Sequence, residues 1–264
     1  MNTIEERLSS LTEAGKKIQQ SVPVDFRDLH SLSEDRRIAW ASFLCSIATT
    51  ESIEKMMIEP IQEAFSESDS CDVISEYLTM HGEDERRHYQ MLTDYVQKTF
   101  QYEKKRRSGS DVVVYGFLLP QFARLGSLKP LYLLTPLRFY EAFSLEFYKS
   151  LKKLAATDGL NSLVQLIQTI EKDEFRHLAG LEILMREHRD KSGDPSAADL
   201  LVIRSMMQVL LFDIEISPWA IHNRRVRRNA MAIGIDPVQM GRDARGAAED
   251  AIQFAKGTKK GKKK

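Results

Sequence analysis

The sequence has 264 residues, in which 38 Lys and Arg residues balance 38 Asp and Glu residues, so the formal net charge is zero. This length is enough to bury a sizeable core, while the zero net charge gives no overall field that would favour nucleic acid or an anionic membrane. The two cysteines, Cys45 and Cys71, form no Cys-x-x-Cys pair, which argues against a zinc ribbon or a disulfide scaffold and fits the reducing cytoplasm.

Hydrophobic residues recur with a helical period along nearly the whole chain, and no stretch shows the sustained alternation of a strand. Residues 1–32 are charged, lack a secretory apolar region and are predicted to form an amphipathic arm. The longest apolar run, at 112–120, is too short to span a bilayer, so we expect no membrane span. In chain order, the predicted helices cover about 33–65, 71–100, 111–124, 135–156, 160–189, 195–221 and 236–256.

Four long helices with a long connection between the second and the third predict an all-α bundle. We expect one helical domain over 1–256, with the bundle core at about 35–190 and extra helices at about 195–256. The basic stretch "NRRVRR" is placed beyond the helix that ends near 221. The tail at 257–264 is of low complexity and rich in lysine and glycine, which is typical of a disordered segment.

One charged phrase, Asp-Glu-x-Arg-His, occurs twice, at 84–88 and at 173–177. On a helix, positions three apart share a face, so Glu85 lies beside His88 and Glu174 lies beside His177. The neighbouring periodic residues are apolar, which predicts that both faces point inward. A buried Glu–His pair is costly by itself, but a metal ion supplies the positive charge that both side chains can bind.

Two upstream glutamates complete this pattern. Glu51 precedes Glu85 by 34 residues and Glu141 precedes Glu174 by 33, so that each half contributes a lone glutamate and a Glu-x-x-His motif. Six candidate metal ligands therefore fall into two matching halves, as expected for an internal duplication. Carboxylate-rich ligation with only two histidines favours iron or manganese over zinc or copper.

The choice of the upstream glutamates has two competitors, Glu54 and Glu146. Glu146 shares its helix face with polar residues such as Lys149, whereas the face of Glu141 is apolar. We therefore prefer Glu141 to Glu146, and we prefer Glu51 to Glu54.

The pattern E…ExxH…E…ExxH resembles that of the ferritin-like di-iron carboxylate proteins over about 35–190. Its doubled D-E-x-R-H form looks most like the soluble acyl-carrier-protein desaturases and related bacterial di-iron oxygenases. The resemblance implies a ferritin-like four-helix bundle with additional N- and C-terminal helices. It also implies a centre of two Fe ions, or of Mn and Fe, and dioxygen as co-substrate.

In this family, aspartates beside the ligands accept the N–H of the histidine on the partner helix. The resemblance therefore implies that Asp84 pairs with His177 and that Asp173 pairs with His88. The alternative is that both aspartates are solvated charges on a helix face.

Four further residues are candidates with weaker arguments. Arg87 and Arg176 could balance the charge of the aspartates, or could be solvated. His81 lies four residues before Glu85 and is an additional candidate ligand, since some N-oxygenating di-iron enzymes carry an extra histidine at this offset, although in the second half of the site. We prefer the interpretation that it is a core histidine or one that contacts the ligands without binding the metal. Ser144 follows Glu141 by one turn, a position that lies near the oxygen-binding side in the desaturases.

These residues and the resemblance predict an oxygenase or oxidase that activates dioxygen to hydroxylate, desaturate or N-oxygenate an apolar or aromatic substrate. The substrate is a small or carrier-bound molecule, and electrons come from a separate ferredoxin or flavin reductase, because the chain has no Cys-rich or nucleotide-binding segment. A homodimer in the cytoplasm is also expected.

Three other classes stay open. An iron-handling ferroxidase or storage protein would use the same ligands. A radical-generating ribonucleotide reductase subunit would place a tyrosine where this chain has Leu92. A nonenzymatic bundle would leave the six ligands unexplained.

Overall fold

The computed structural model describes residues 3–21, 26–29, 31–102, 119–215 and 224–257, without the side chains of 21, 52–56, 119, 122, 213, 215 and 224–226. All regular structure within these ranges is helical, which confirms the predicted all-α class. In chain order, the described helices are α1 (Ile4–Ser21), α2 (Glu34–Ala64), α3 (Cys71–Phe100), α4 (Leu119–Leu128), α5 (Leu131–Thr157), α6 (Asn161–Ser192), α7 (Ala197–Glu215), α8 (Arg224–Ile233) and α9 (Pro237–Ala255).

Three helices differ from the prediction. α4 ends at Leu128 rather than near 124. α5 begins at Leu131 rather than near 135 and continues through Pro136, because its first turn is buried in the core and the Thr135 hydroxyl donates to the Leu131 carbonyl at 2.8 Å. Residues 224–228 of the basic stretch are helical as part of α8, which was not predicted. Ala230 and Ile233 are buried on one side of α8, so packing decides its conformation. Of the predicted 111–124 helix, residues 111–118 lie outside the described part, as do 216–221 and the 258–264 part of the tail.

The interior has three layers along the bundle. The first apolar cluster joins the end of α2 and the end of α6 to the beginning of α3 and the beginning of α5. The second apolar cluster joins the beginning of α2 and α6 to the end of α3 and α5. Hence α2 and α6 run opposite to α3 and α5, and the connection between α3 and α5 links opposite ends of the bundle. The buried charged residues at the middle of these four helices lie in the layer between the clusters, whereas Arg138 pairs with Glu182 and with Asp250 of α9, and Glu171 pairs with Lys152.

The remaining helices cover this four-helix core. α1 packs against α3 and α6, α7 and α9 pack against α5, and α8 packs against α2. None of the described helices combines the length and the hydropathy needed to cross a membrane.

A close approach between α6 and α3 occurs at Gly180. A Cβ atom there would lie 2.0 Å from Cζ of Tyr77, a fully buried side chain whose hydroxyl donates to the His177 carbonyl at 3.0 Å. Gly180→Ala should therefore push the helices apart and lower the free energy of unfolding by about 1–3 kcal/mol, the usual cost of overpacking. Urea denaturation measures this change.

Gly246 provides a matched control for this prediction. It is exposed on α9, and a Cβ atom there would meet no atom within 4 Å. Gly246→Ala should raise the free energy of unfolding by about 0.5–1 kcal/mol, because alanine loses less backbone entropy in a helix. Equal effects of the two substitutions would contradict the close approach at Gly180.

Candidate metal centre

The charged layer contains all six side chains that the sequence singled out as ligands. Each of the four core helices contributes ligands from its middle part. The apolar ends of each helix pack in the first and the second apolar cluster, on either side of the charged layer. All six are buried: Glu51 of α2, Glu85 and His88 of α3, Glu141 of α5, and Glu174 and His177 of α6.

These side chains form two groups that could each hold a metal ion. Position 1 consists of Glu51, Glu85, His88 and Glu174, and position 2 consists of His81, Glu85, Glu141 and His177. Within each group, one potential ligand atom from each residue lies within 4.8 Å of the others. Glu85 belongs to both groups, so it can bridge two ions.

The Nδ1 atom of His88 faces the carboxylates of position 1. It lies 3.3 Å from Oε2 of Glu51, 3.5 Å from Oε1 of Glu174 and 3.6 Å from Oε2 of Glu85. The nitrogen and the oxygens are therefore close enough together to bind one metal ion.

His177 has the corresponding orientation in position 2. Its Nδ1 atom lies 3.0 Å from Oε1 of Glu85 and 3.5 Å from Oε1 of Glu141. Both histidines therefore turn the same ring nitrogen toward the carboxylates.

The other ring nitrogen of each histidine faces an aspartate. Nε2 of His88 lies 3.1 Å from Oδ2 of Asp173, and Nε2 of His177 lies 3.3 Å from Oδ2 of Asp84. An Nε2–H that donates to the aspartate leaves the Nδ1 lone pair available for a metal. These are the two contacts that the resemblance implied, and their role beside a bound metal stays a prediction.

Two arginines join the aspartates into a four-residue ionic network, which consists of Asp84, Arg87, Asp173 and Arg176. Nη2 of Arg87 donates to both aspartates at 2.6 Å, and Nη2 of Arg176 donates to Asp84 at 2.5 Å and to Asp173 at 2.6 Å. Both aspartates are fully buried, and the side chains of Arg87 and Arg176 are 18% and 4% exposed. The four charges are therefore not solvated on a helix face.

The electrostatics of position 1 show unbalanced negative charge. Burial, together with the charges of Glu141 and Glu51, raises the pKa of Glu174 well above its usual value. Burial lowers the pKa of His88, but the hydrogen bonds with Asp173 and Glu51 outweigh this effect and raise the pKa to about 10. The carboxylates thus favour a positive partner, which a divalent cation provides.

His81 is part of position 2, although a core histidine was the preferred sequence interpretation. It is fully buried, and its Nε2 atom lies 2.9 Å from Oε1 of Glu141 and 3.7 Å from Oε1 of Glu85. Its ring stacks on that of His177 with centroids 3.7 Å apart. The structure therefore places a second imidazole in position 2, whereas position 1 has one.

The competing glutamates differ in how far the structure describes them. Glu146 is exposed and pairs with Lys149 at 2.7 Å on the surface of α5, so it is not part of the centre. The side chain of Glu54 lies outside the described residues.

Ser144 is partly buried one turn after Glu141, and its proposed place near an oxygen-binding side stays a prediction.

Two contacts to the centre were missed in the sequence. The buried Tyr148 hydroxyl donates to Oε1 of Glu51, and Nε2 of Gln19 on α1 donates to Oδ1 of Asp84 at 2.9 Å. Tyr148 lies on the same face of α5 as Glu141, two turns later, which was a usable signal. Gln19 gave no signal, because the packing of α1 on α3 and α6 cannot be read from its own periodicity.

Neither the models of known protein families nor the curated proteins give a match to this chain. Four carboxylates and three imidazoles make a mixed oxygen and nitrogen donor set, which could hold two metal ions.

Proposed function

We propose that the chain is a dinuclear non-haem iron or manganese–iron enzyme, an oxygenase or oxidase that activates dioxygen. The single observation that supports this most directly is the pair of buried ligand groups that share Glu85. The opposed directions of the four core helices and the long α3–α5 connection also support the ferritin-like bundle that the resemblance implies.

The residues of the chain would each have a defined task. The four glutamates would hold the ions and offset their charge, with Glu85 between the two positions. Asp84 and Asp173 would orient the two histidines through Nε2, while Arg87 and Arg176 keep these aspartates ionised. The bound ions would supply the redox chemistry by which dioxygen is activated.

The layers on both sides of the centre would exclude water from the reaction. The first and second apolar clusters enclose the charged layer along the bundle. An apolar or aromatic substrate suits such surroundings, because its own transfer from water is favourable. Electrons would come from a separate ferredoxin or flavin reductase. The homodimer and the cytoplasmic location stay predictions.

Anaerobic titration with ferrous iron, followed by dioxygen and candidate substrates, tests this proposal. Binding should saturate at about two ions per chain, since two ligand groups are present. Product mass spectrometry should then show a substrate with an added oxygen or a lost pair of hydrogens. The alternative, an iron-handling protein, uses the same ligands but should accept tens of irons and deposit mineral. That result would replace the oxygenase proposal, and binding of less than half an ion per chain would remove both.

A further inference from the structure

The inward face of α1 ends at the ionic network behind the metal centre. Leu8, Thr12, Gly15 and Gln19 are spaced by four, three and four residues, so they form one stripe along this helix. Leu8 and Thr12 are buried, and α1 packs against both α3 and α6. The stripe therefore holds Gln19 against the two helices that supply the Glu-x-x-His motifs.

Gly15 brings the backbone of α1 directly onto the network. A Cβ atom at this position would lie 2.4 Å from Sδ of Met80 and 2.8 Å from Cζ of Arg176. No larger residue fits without a shift of α1 or of the side chains of Met80 and Arg176. The close approach places the next inward residue, Gln19, within reach of Asp84.

Gln19 contacts the aspartate oxygen that does not face a histidine. Its Nε2 donates to Oδ1 of Asp84 at 2.9 Å, while Oδ2 of Asp84 lies 3.3 Å from Nε2 of His177. A donor on Oδ1 restrains rotation of the carboxylate and so keeps Oδ2 directed at the histidine.

The corresponding aspartate in the other half has a different environment. In the described part of the chain, the hydrogen bonds of Asp173 come from His88, Arg87 and Arg176, and none comes from α1. The matching halves are therefore unequal: Asp84 has a fourth partner that depends on the docking of α1.

We infer that Gln19 is a positioning residue that acts through Asp84 on His177, and that it sets the metal affinity of position 2 but not of position 1. This inference rests on the proposed dinuclear centre. Loss of a partner behind a metal-binding histidine typically lowers metal affinity by about 10–100-fold. Because two arginines still hold Asp84, we expect an effect at the lower end, on the order of 10-fold.

The test uses the full-length chain in two backgrounds that keep one position each. Glu51→Ala removes a ligand of position 1 only, and Glu141→Ala removes a ligand of position 2 only. In each background, ferrous iron affinity is measured anaerobically by competition with a chelator, with and without Gln19→Leu. Leucine has a volume similar to that of glutamine at this partly buried site but cannot donate a hydrogen bond.

The expected result is a loss on the order of 10-fold when Gln19→Leu is added to Glu51→Ala, and less than a twofold change when it is added to Glu141→Ala. Gln20→Leu is the matched control, because Gln20 is the exposed neighbour on the same helix and should change neither affinity.

Two outcomes would overturn the inference. Equal losses in both backgrounds, accompanied by a lower melting temperature of the metal-free protein, would show that Gln19 only stabilises the fold. Unchanged affinity in the Glu51→Ala background would show that the hydrogen bond to Asp84 does not reach the metal. Absence of the proposed dinuclear centre would look different, since the unsubstituted chain would then not bind two ions.

Discussion

Glu85→Ala should abolish metal binding at both positions. Glu85 belongs to both ligand groups, with Oε1 3.0 Å from Nδ1 of His177 and Oε2 3.6 Å from Nδ1 of His88. Its removal leaves each position with three ligands and removes the negative charge shared between two cations, whose mutual repulsion then opposes binding. Metal analysis after anaerobic reconstitution should fall from about two ions per chain to well below one.

Two other substitutions on α3 provide the comparison. Glu83 is exposed two residues before Glu85, so Glu83→Ala should keep both ions. His81→Leu removes a ligand from position 2 alone and should leave about one ion per chain. Retention of two ions in Glu85→Ala would contradict the assignment of Glu85 to both positions. Retention of two tightly held ions in His81→Leu would mean that His81 packs in the core and is not a ligand.

The repeated Asp-Glu-x-Arg-His phrase predicted four of the candidate ligands that meet in the centre, Glu85, His88, Glu174 and His177. A helix fixes the relative direction of residues three apart, so Glu85 and His88 had to share a face wherever α3 packed. The matched spacing of Glu51 and Glu141 then predicted which glutamate each of the two remaining helices contributes. In each case the information was local, or was repeated in the second half of the chain.

The features that the sequence did not predict depend on contacts between distant helices. A buried histidine at position 81 is compatible with the core and with the centre, and only the approach of Glu141 on α5 distinguishes the two. The hydrogen bond from Tyr148 to Glu51 joins α5 to α2, and that from Gln19 to Asp84 joins α1 to α3. Helical periodicity gives the face of a residue but not the neighbour that this face meets.

Arg176→Met should cause the largest loss of stability among substitutions in the ionic network. Arg176 is nearly fully buried and donates to both Asp84 and Asp173, so its removal leaves two buried carboxylates with less positive charge and a greater mutual repulsion. Breaking a buried ion pair by removing one partner typically costs 3–5 kcal/mol, and methionine preserves most of the packing volume, so about this loss is expected from charge alone. Urea denaturation of the metal-free protein measures it.

Arg87→Met is the matched control, because Arg87 binds the same two aspartates from a more exposed site. Water can replace part of its interaction, so we expect a loss of about half that for Arg176→Met or less. Once both arginines are absent, protonation of the aspartates would remove the cost of a buried charge. The double variant would then lose less free energy of unfolding than the sum of the losses of the two single variants. Equal, small losses for both single variants would mean that the network is solvated, and the buried arrangement of Arg176 between α1, α3 and α6 would then be wrong.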